Sequence, residues 1–154
     1  MGNNGGNIMV GGLVGYVASR TMDQATTWFY GIQTDASKQR EEELAPGGTL
    51  VQFGKQVGAA LGRDLSAEAA GRVGLAAHRT LGVGYGMAAA ALVRREVPPL
   101  KAGLTVGAAA WAIVDEGTAL PTFTDYPVES HLRGVVGHAT LGLAIGVLLS
   151  LVER

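Results

Sequence analysis

The sequence predicts an all-α integral membrane protein: four transmembrane helices forming two repeated helical hairpins, with an amphipathic interfacial helix in the first loop. Three observations predict it. Gly74-x-x-x-His78-x-x-x-Gly82-x-x-x-Gly86 recurs sixty residues later as Gly134-x-x-x-His138-x-x-x-Gly142-x-x-x-Gly146, and Thr80-Leu81-Gly82 recurs as Thr140-Leu141-Gly142. Gly11, Gly15, Ser19, Asp23 and Thr27 are matched in the same way by Gly103, Gly107, Trp111, Asp115 and Ala119. Residues four apart share a helix face, so each segment carries a stripe of small residues with one acid or one imidazole set into it. Finally, 47% of residues are hydrophobic, 16% are charged, and many of the 24 glycines fall inside apolar runs at helical spacing. In a helix surrounded by water each interior glycine costs about 1 kcal/mol relative to alanine. In lipid the same glycines let backbones approach closely, which favours the membrane reading over a water-soluble four-helix bundle.

The elements follow in chain order within one domain, 1–154. The first span is read at about 8–30, and it carries Arg20 and Asp23. Its start has neither the basic n-region of a signal peptide nor a myristoylation motif, so the helix is expected to be its own insertion signal. Residues 35–43 are a charged stretch expected to be solvated, broken by Pro46-Gly47-Gly48. Between about 49 and 66, Leu50, Phe53, Val57, Leu61 and Leu65 fall on one face, which predicts an amphipathic helix lying in the membrane interface or capping the bundle. Spans two, three and four are read at about 70–94, 100–121 and 131–152, each long enough for a bilayer at about 20 residues. The short turn 94–101 concentrates basic residues and places both termini in the cytoplasm. Helices one and three then run in the same direction, which makes the duplication a direct repeat.

Composition excludes several classes. A net charge of −1 gives no electrostatic case for nucleic acid. With no cysteine, disulfides, thiolate metal sites and thiol catalysis are absent. Gly82-x-Gly84-x-Gly86 lies within a helix and follows no strand, so it is no nucleotide loop. No nucleophile motif accompanies Ser130-His131, and the role expected is not enzymatic.

The chemistry lies in a predicted polar layer. Counted from the helix ends, Asp23, His78, Asp115 and His138 should sit at one depth, with Glu116, Arg20 and Arg79 within a turn of them. Charges inside a span cost at least about 2.5–3.5 kcal/mol each, so these groups should face inward and neutralise one another. Four readings stand open: an ion-pair layer that only fixes helix register; a site that binds or relays protons or an ion, since histidine ordinarily titrates near physiological pH; a divalent transition metal on Asp23, His78, Asp115 and His138; and a haem between His78 and His138, with Arg79 or Arg133 on the propionates.

The span count, the Gly-rich first helix and His78-x-x-x-Gly82-x-x-Tyr85-Gly86 resemble the YagU-like family of bacterial inner-membrane proteins. That resemblance implies a bacterial inner (cytoplasmic) membrane location. It favours the proton reading, because the family has been linked to acid tolerance, and it supplies no catalytic residues. The expected protein is thus a small multi-pass inner-membrane protein with a buried Asp/His layer. The alternative is a haem- or metal-bearing, or purely structural, subunit of a larger membrane complex. The surplus of small-xxx-small faces predicts a homo-oligomer or a complex subunit.

Overall fold

A computed structural model describes residues 4–115, 117 and 125–152. Among these, six α-helices and one π-helical turn account for nearly all the chain: α1 (Asn4–Ile32), α2 (Asp35–Leu44), α3 (Thr49–Ala60), α4 (Ala67–Val93), α5 (Pro99–Ala110), the π turn Trp111–Asp115, and α6 (Val128–Val152).

Local signals set the boundaries. Thr34 caps α2 and Ser66 caps α4, each hydroxyl accepting a first-turn N–H, from Ser37 and Ala69 respectively. Pro99 opens α5, where a missing N–H costs nothing. The end of α3 is a Schellman turn: Gly62 takes φ +68°, its N–H bonds the Ala59 carbonyl, and Arg63 N–H bonds the Gly58 carbonyl.

Packing runs through bare backbone. In the antiparallel pair α1/α4, a Cβ on Gly15 would fall 2.1 Å from the Gly82 carbonyl oxygen, and one on Gly86 would fall 2.0 Å from that of Gly11. The pair α5/α6 repeats the arrangement, with 2.3 Å from Gly103 to the Gly142 oxygen and 2.5 Å from Gly107 to that of His138. The pairs meet where α1 lies on α6 and α4 on α5. Val14, Ala18, Met22, Ala89, Val106, Leu141, Ile145 and Leu149 close the core between them. Helix α3 lies on α4 in the same way, since a Cβ on Gly54 would overlap the Ala70 carbonyl.

This architecture corrects the expectation of four transmembrane helices. Among the described residues a single helix, α6, is long and apolar enough to cross a membrane, with a mean hydropathy of 2.1 in its most apolar window. Small residues mislead here: glycine and alanine fill a close interface, but they remove little apolar area from water. Helix α1 also carries Arg20, Asp23 and Gln24, and α4 carries Glu68, Arg72 and Arg79. The α-helical part of α5 has 12 residues, on the order of 18 Å of helix against a hydrocarbon core of about 30 Å.

Two local expectations change as well. Residues 35–44 form a helix in which Ser37 is buried, rather than a solvated stretch. The amphipathic helix ends at Ala60 and buries Gly54 and Gly58 against its neighbours.

Candidate functional site

Each glycine-packed pair carries one Asp–His contact at the same end of its interface. In α1/α4, Asp23 lies two turns beyond Gly15, and His78 lies one turn before Gly82. The approach enforced by the glycines brings His78 Nε2 to 3.0 Å from Asp23 Oδ1. Arg79, next along α4, donates to the other carboxylate oxygen of Asp23. Its second amino group donates to Ser19 Oγ at 2.9 Å, and that hydroxyl donates to the Tyr16 carbonyl at 2.8 Å. The guanidinium also lies over the Tyr16 ring, 6.0 Å from its centroid. Both oxygens of Asp23 are therefore engaged, and its charge is balanced inside the protein.

In α5/α6 the corresponding contact is His138 Nε2 to Asp115 Oδ1, at 3.2 Å. Distance alone would make this a hydrogen bond, but the N–H direction does not, and both ring nitrogens of His138 are buried without a hydrogen-bond partner. The imidazole is 4% exposed, and the Asp115 side chain is 35% exposed. Three sequence differences separate this contact from its counterpart. Ala139 stands in the place of Arg79, Trp111 in the place of Ser19, and Ile145 in the place of Tyr85.

Trp111 also opens the π turn that ends on Asp115, whereas Ser19–Asp23 stays α-helical. π turns insert a residue into a helix and re-aim the side chains that follow. The indole N–H of Trp111 and the hydroxyl of Tyr85 are likewise buried without partners. Gly134 makes room for the carboxylate: a Cβ there would fall 2.5 Å from Asp115 Oδ2 and 3.4 Å from Trp111 Nε1. Burial first, then the nearby Asp115 charge, holds the Tyr85 phenol above its ordinary pKa.

The four expected partners thus form two separate pairs and do not converge on one centre. Among the described residues no three His, Asp or Glu side chains stand together as a metal would require, so the four-ligand metal set is not assembled. The two imidazoles each turn Nε2 onto an aspartate of their own helix pair, which does not fit a haem held between His78 and His138. Arg20 is exposed and forms no ion pair with either aspartate among the described residues. Glu116, the seventh expected member, lies outside the described residues.

A polar cluster that the sequence did not suggest ties α2 to α6. Arg133 donates to both carboxylate oxygens of Glu41, at 3.1 and 2.7 Å, and to Gln33 Oε1 at 2.6 Å. Gln33 and Ser130 donate to Glu41 Oε1, each at 2.6 Å. Burial pushes the Glu41 carboxyl upward, but these donors and the Arg133 charge outweigh it and hold the group below its ordinary 4.5. Beside this clamp a cleft of about 640 Å³ opens between Tyr30, Glu41, Thr49, Tyr126 and Arg133. Glu41 and Arg133 neutralise one another and clamp α2 to α6, while the Tyr126 hydroxyl beside them is buried without a hydrogen-bond partner among the described residues. Only the charge of residues 35–43 was available as a signal, and charge alone does not tell a clamp from a solvated face.

No family model, curated protein or solved structure matches this chain.

Proposed function

We propose that this chain is a small, membrane-associated helical protein whose Asp–His pairs take up and pass on protons or a small ion. The observation that carries the reading is that each aspartate meets a histidine across a glycine-packed interface, at 3.0 Å in one pair and 3.2 Å in the other. A carboxylate beside an imidazole favours uptake of a proton by the ring, because the protonated ring gains an ion pair. Membrane association is supported by α6. One face carries Leu141, Ile145 and Leu149 into the core, while Leu143, Val147 and Leu151 are between 46% and 57% exposed on the other. A bacterial inner-membrane location belongs to the same proposal and is supported by the Gly-rich first helix and the His78-x-x-x-Gly82-x-x-Tyr85-Gly86 motif, by which the chain resembles the YagU-like family.

The test is proton uptake by the purified full-length chain in mild detergent, followed together with its imidazole NMR signals. Wild type should take up protons in step with changes in its imidazole signals, and His78→Gln with His138→Gln should remove that uptake. An unchanged pH response in a folded double variant would overturn the reading.

A further inference from the structure

We infer that the Asp115–His138 pair is a binding site for a small organic cation, a primary ammonium or a guanidinium, which occupies the role that Arg79 fills in the other pair. The inference rests on the proposal that these pairs are functional and assigns the ligand to one of them.

Charge decides between the two sites. Asp23 has an internal arginine, and its oxygens are both taken. Asp115 has no arginine or lysine within ion-pair distance among the described residues, because the duplicated position is Ala139. The carboxylate is partly buried, and a cation beside it would offset the hydration it has lost. With His138 neutral the site is one positive charge short. Two species can supply it: a proton on His138, or a cation from solution.

The surroundings suit the cation. Asp115 is open enough to admit it, while His138, nine-tenths buried and without a hydrogen-bond partner on either nitrogen, offers an acceptor directly behind. The Tyr85 hydroxyl on α4 is a further unpartnered oxygen, and the Trp111 ring stands at the Gly134 wall beside Asp115. A carboxylate, a neutral imidazole and an aromatic face together form the usual environment for an ammonium or guanidinium head.

Among the described residues the neighbouring charges do not compete. Arg133, also on α6, is committed to Glu41 and Gln33. Tyr85 is held neutral by burial and by Asp115. Binding is therefore coupled to the proton. A cation on Asp115 and a proton on His138 are alternative balancing charges, so each disfavours the other, and no covalent bond to carbon changes.

The test is a titration of the purified full chain with methylammonium chloride and, separately, guanidinium chloride at low millimolar concentrations, with sodium chloride at equal ionic strength as the control. His138 ring signals and released protons are read together. Wild type should show saturable binding with proton release. Asp115→Asn should weaken it at least about tenfold, as expected when one partner of a charged contact is truncated. Ala139→Arg, which restores the arginine of the first pair, should abolish it. Arg79→Ala should add a second saturable site at Asp23.

If Ala139→Arg does not fold, Ala139→Lys and Asp115→Asn carry the test. Absence of saturable binding by wild type, or binding unaffected by Asp115→Asn, would overturn the inference. In that event proton uptake that still depends on the histidines would leave the proton reading standing, whereas loss of both would remove the two together.

Discussion

The two helix pairs share a glycine-packed interface and differ in charge. In both, two glycines bring a facing carbonyl oxygen to within about 2–2.5 Å of where their Cβ would lie, and in both an aspartate meets a histidine at the same end. One pair adds Arg79, Ser19 and Tyr16 and leaves no valence open on its carboxylate. The other replaces those groups with Ala139, Trp111 and a π turn, and leaves a histidine, an indole and a phenol buried without partners. A duplicated site can thus be kept as a strut in one copy and opened in the other on the same glycine-packed interface, with the backbone changed locally at the π turn.

The largest expected effect tests the shared part. Gly86→Val and Gly103→Val each drive a branched side chain into facing backbone, at 2.0 and 2.3 Å for the first atom alone. Backbone cannot yield as a side-chain tip can, so each should cost at least about 3 kcal/mol, or prevent folding, by thermal or denaturant unfolding. Similar losses in the two pairs are expected. A mild effect in one would mean that its helices do not meet backbone to backbone.

The next effect tests the difference. Asp23→Asn breaks the ion pair with Arg79 and the contact with His78, and Arg79 is left only Ser19 and the Tyr16 ring. Because both side chains keep partial access to solvent, the loss should be about 1–2 kcal/mol. Asp115→Asn removes no hydrogen bond and should change stability by less than about 0.5 kcal/mol. Equal losses at the two positions would abolish the distinction between a locked and an open pair.

Much of the frame was legible in the sequence. The four-residue period of Gly11/Gly15, Gly82/Gly86, Gly103/Gly107 and Gly142/Gly146 marks the contact faces, because only a missing Cβ lets two helix backbones touch. The repeat also aligned Asp23 with Asp115 and His78 with His138. The surrounding medium was not legible in the same pattern, since a glycine-rich stripe is small rather than apolar, and only α6 adds a run of aliphatic residues to it. Nor could spacing separate two pairs from one shared layer, because depth along a helix does not fix rotation around it. The π turn at Trp111 and the Arg133–Glu41 clamp depend on tertiary contacts that leave no period in the chain.

A third carboxylate sharpens the comparison through pH. Glu41 resembles Asp23 in having an arginine partner, and its pKa lies below 4.5 in the folded protein. A lowered folded value means that the stabilising contribution is complete above the unfolded pKa and is lost as pH falls through the folded one. Acidification below about 4.5 should therefore loosen α2 from α6, read as hydrogen exchange over residues 35–44. Glu41→Gln should cost about 1 kcal/mol at neutral pH and flatten this acid limb. A limb that is as steep in Glu41→Gln as in wild type would show that another carboxylate governs it.

The smallest effect uses neighbouring glycines on one helix. Gly82 faces α1, where a Cβ would meet Ser19 Cβ at 2.8 Å, whereas Gly84 has nothing within 4 Å of the same atom. Both sit inside α4, so alanine at either should gain the helix propensity of about 0.5–1 kcal/mol that glycine forgoes. At Gly84 that gain should appear undiminished, as a rise in unfolding temperature. At Gly82 the displaced Ser19, which accepts from Arg79, should reverse its sign. Stabilisation at both positions would mean that the α1/α4 pair can separate by a few tenths of an ångström without loss, and that Arg79 does not depend on Ser19 to hold Asp23.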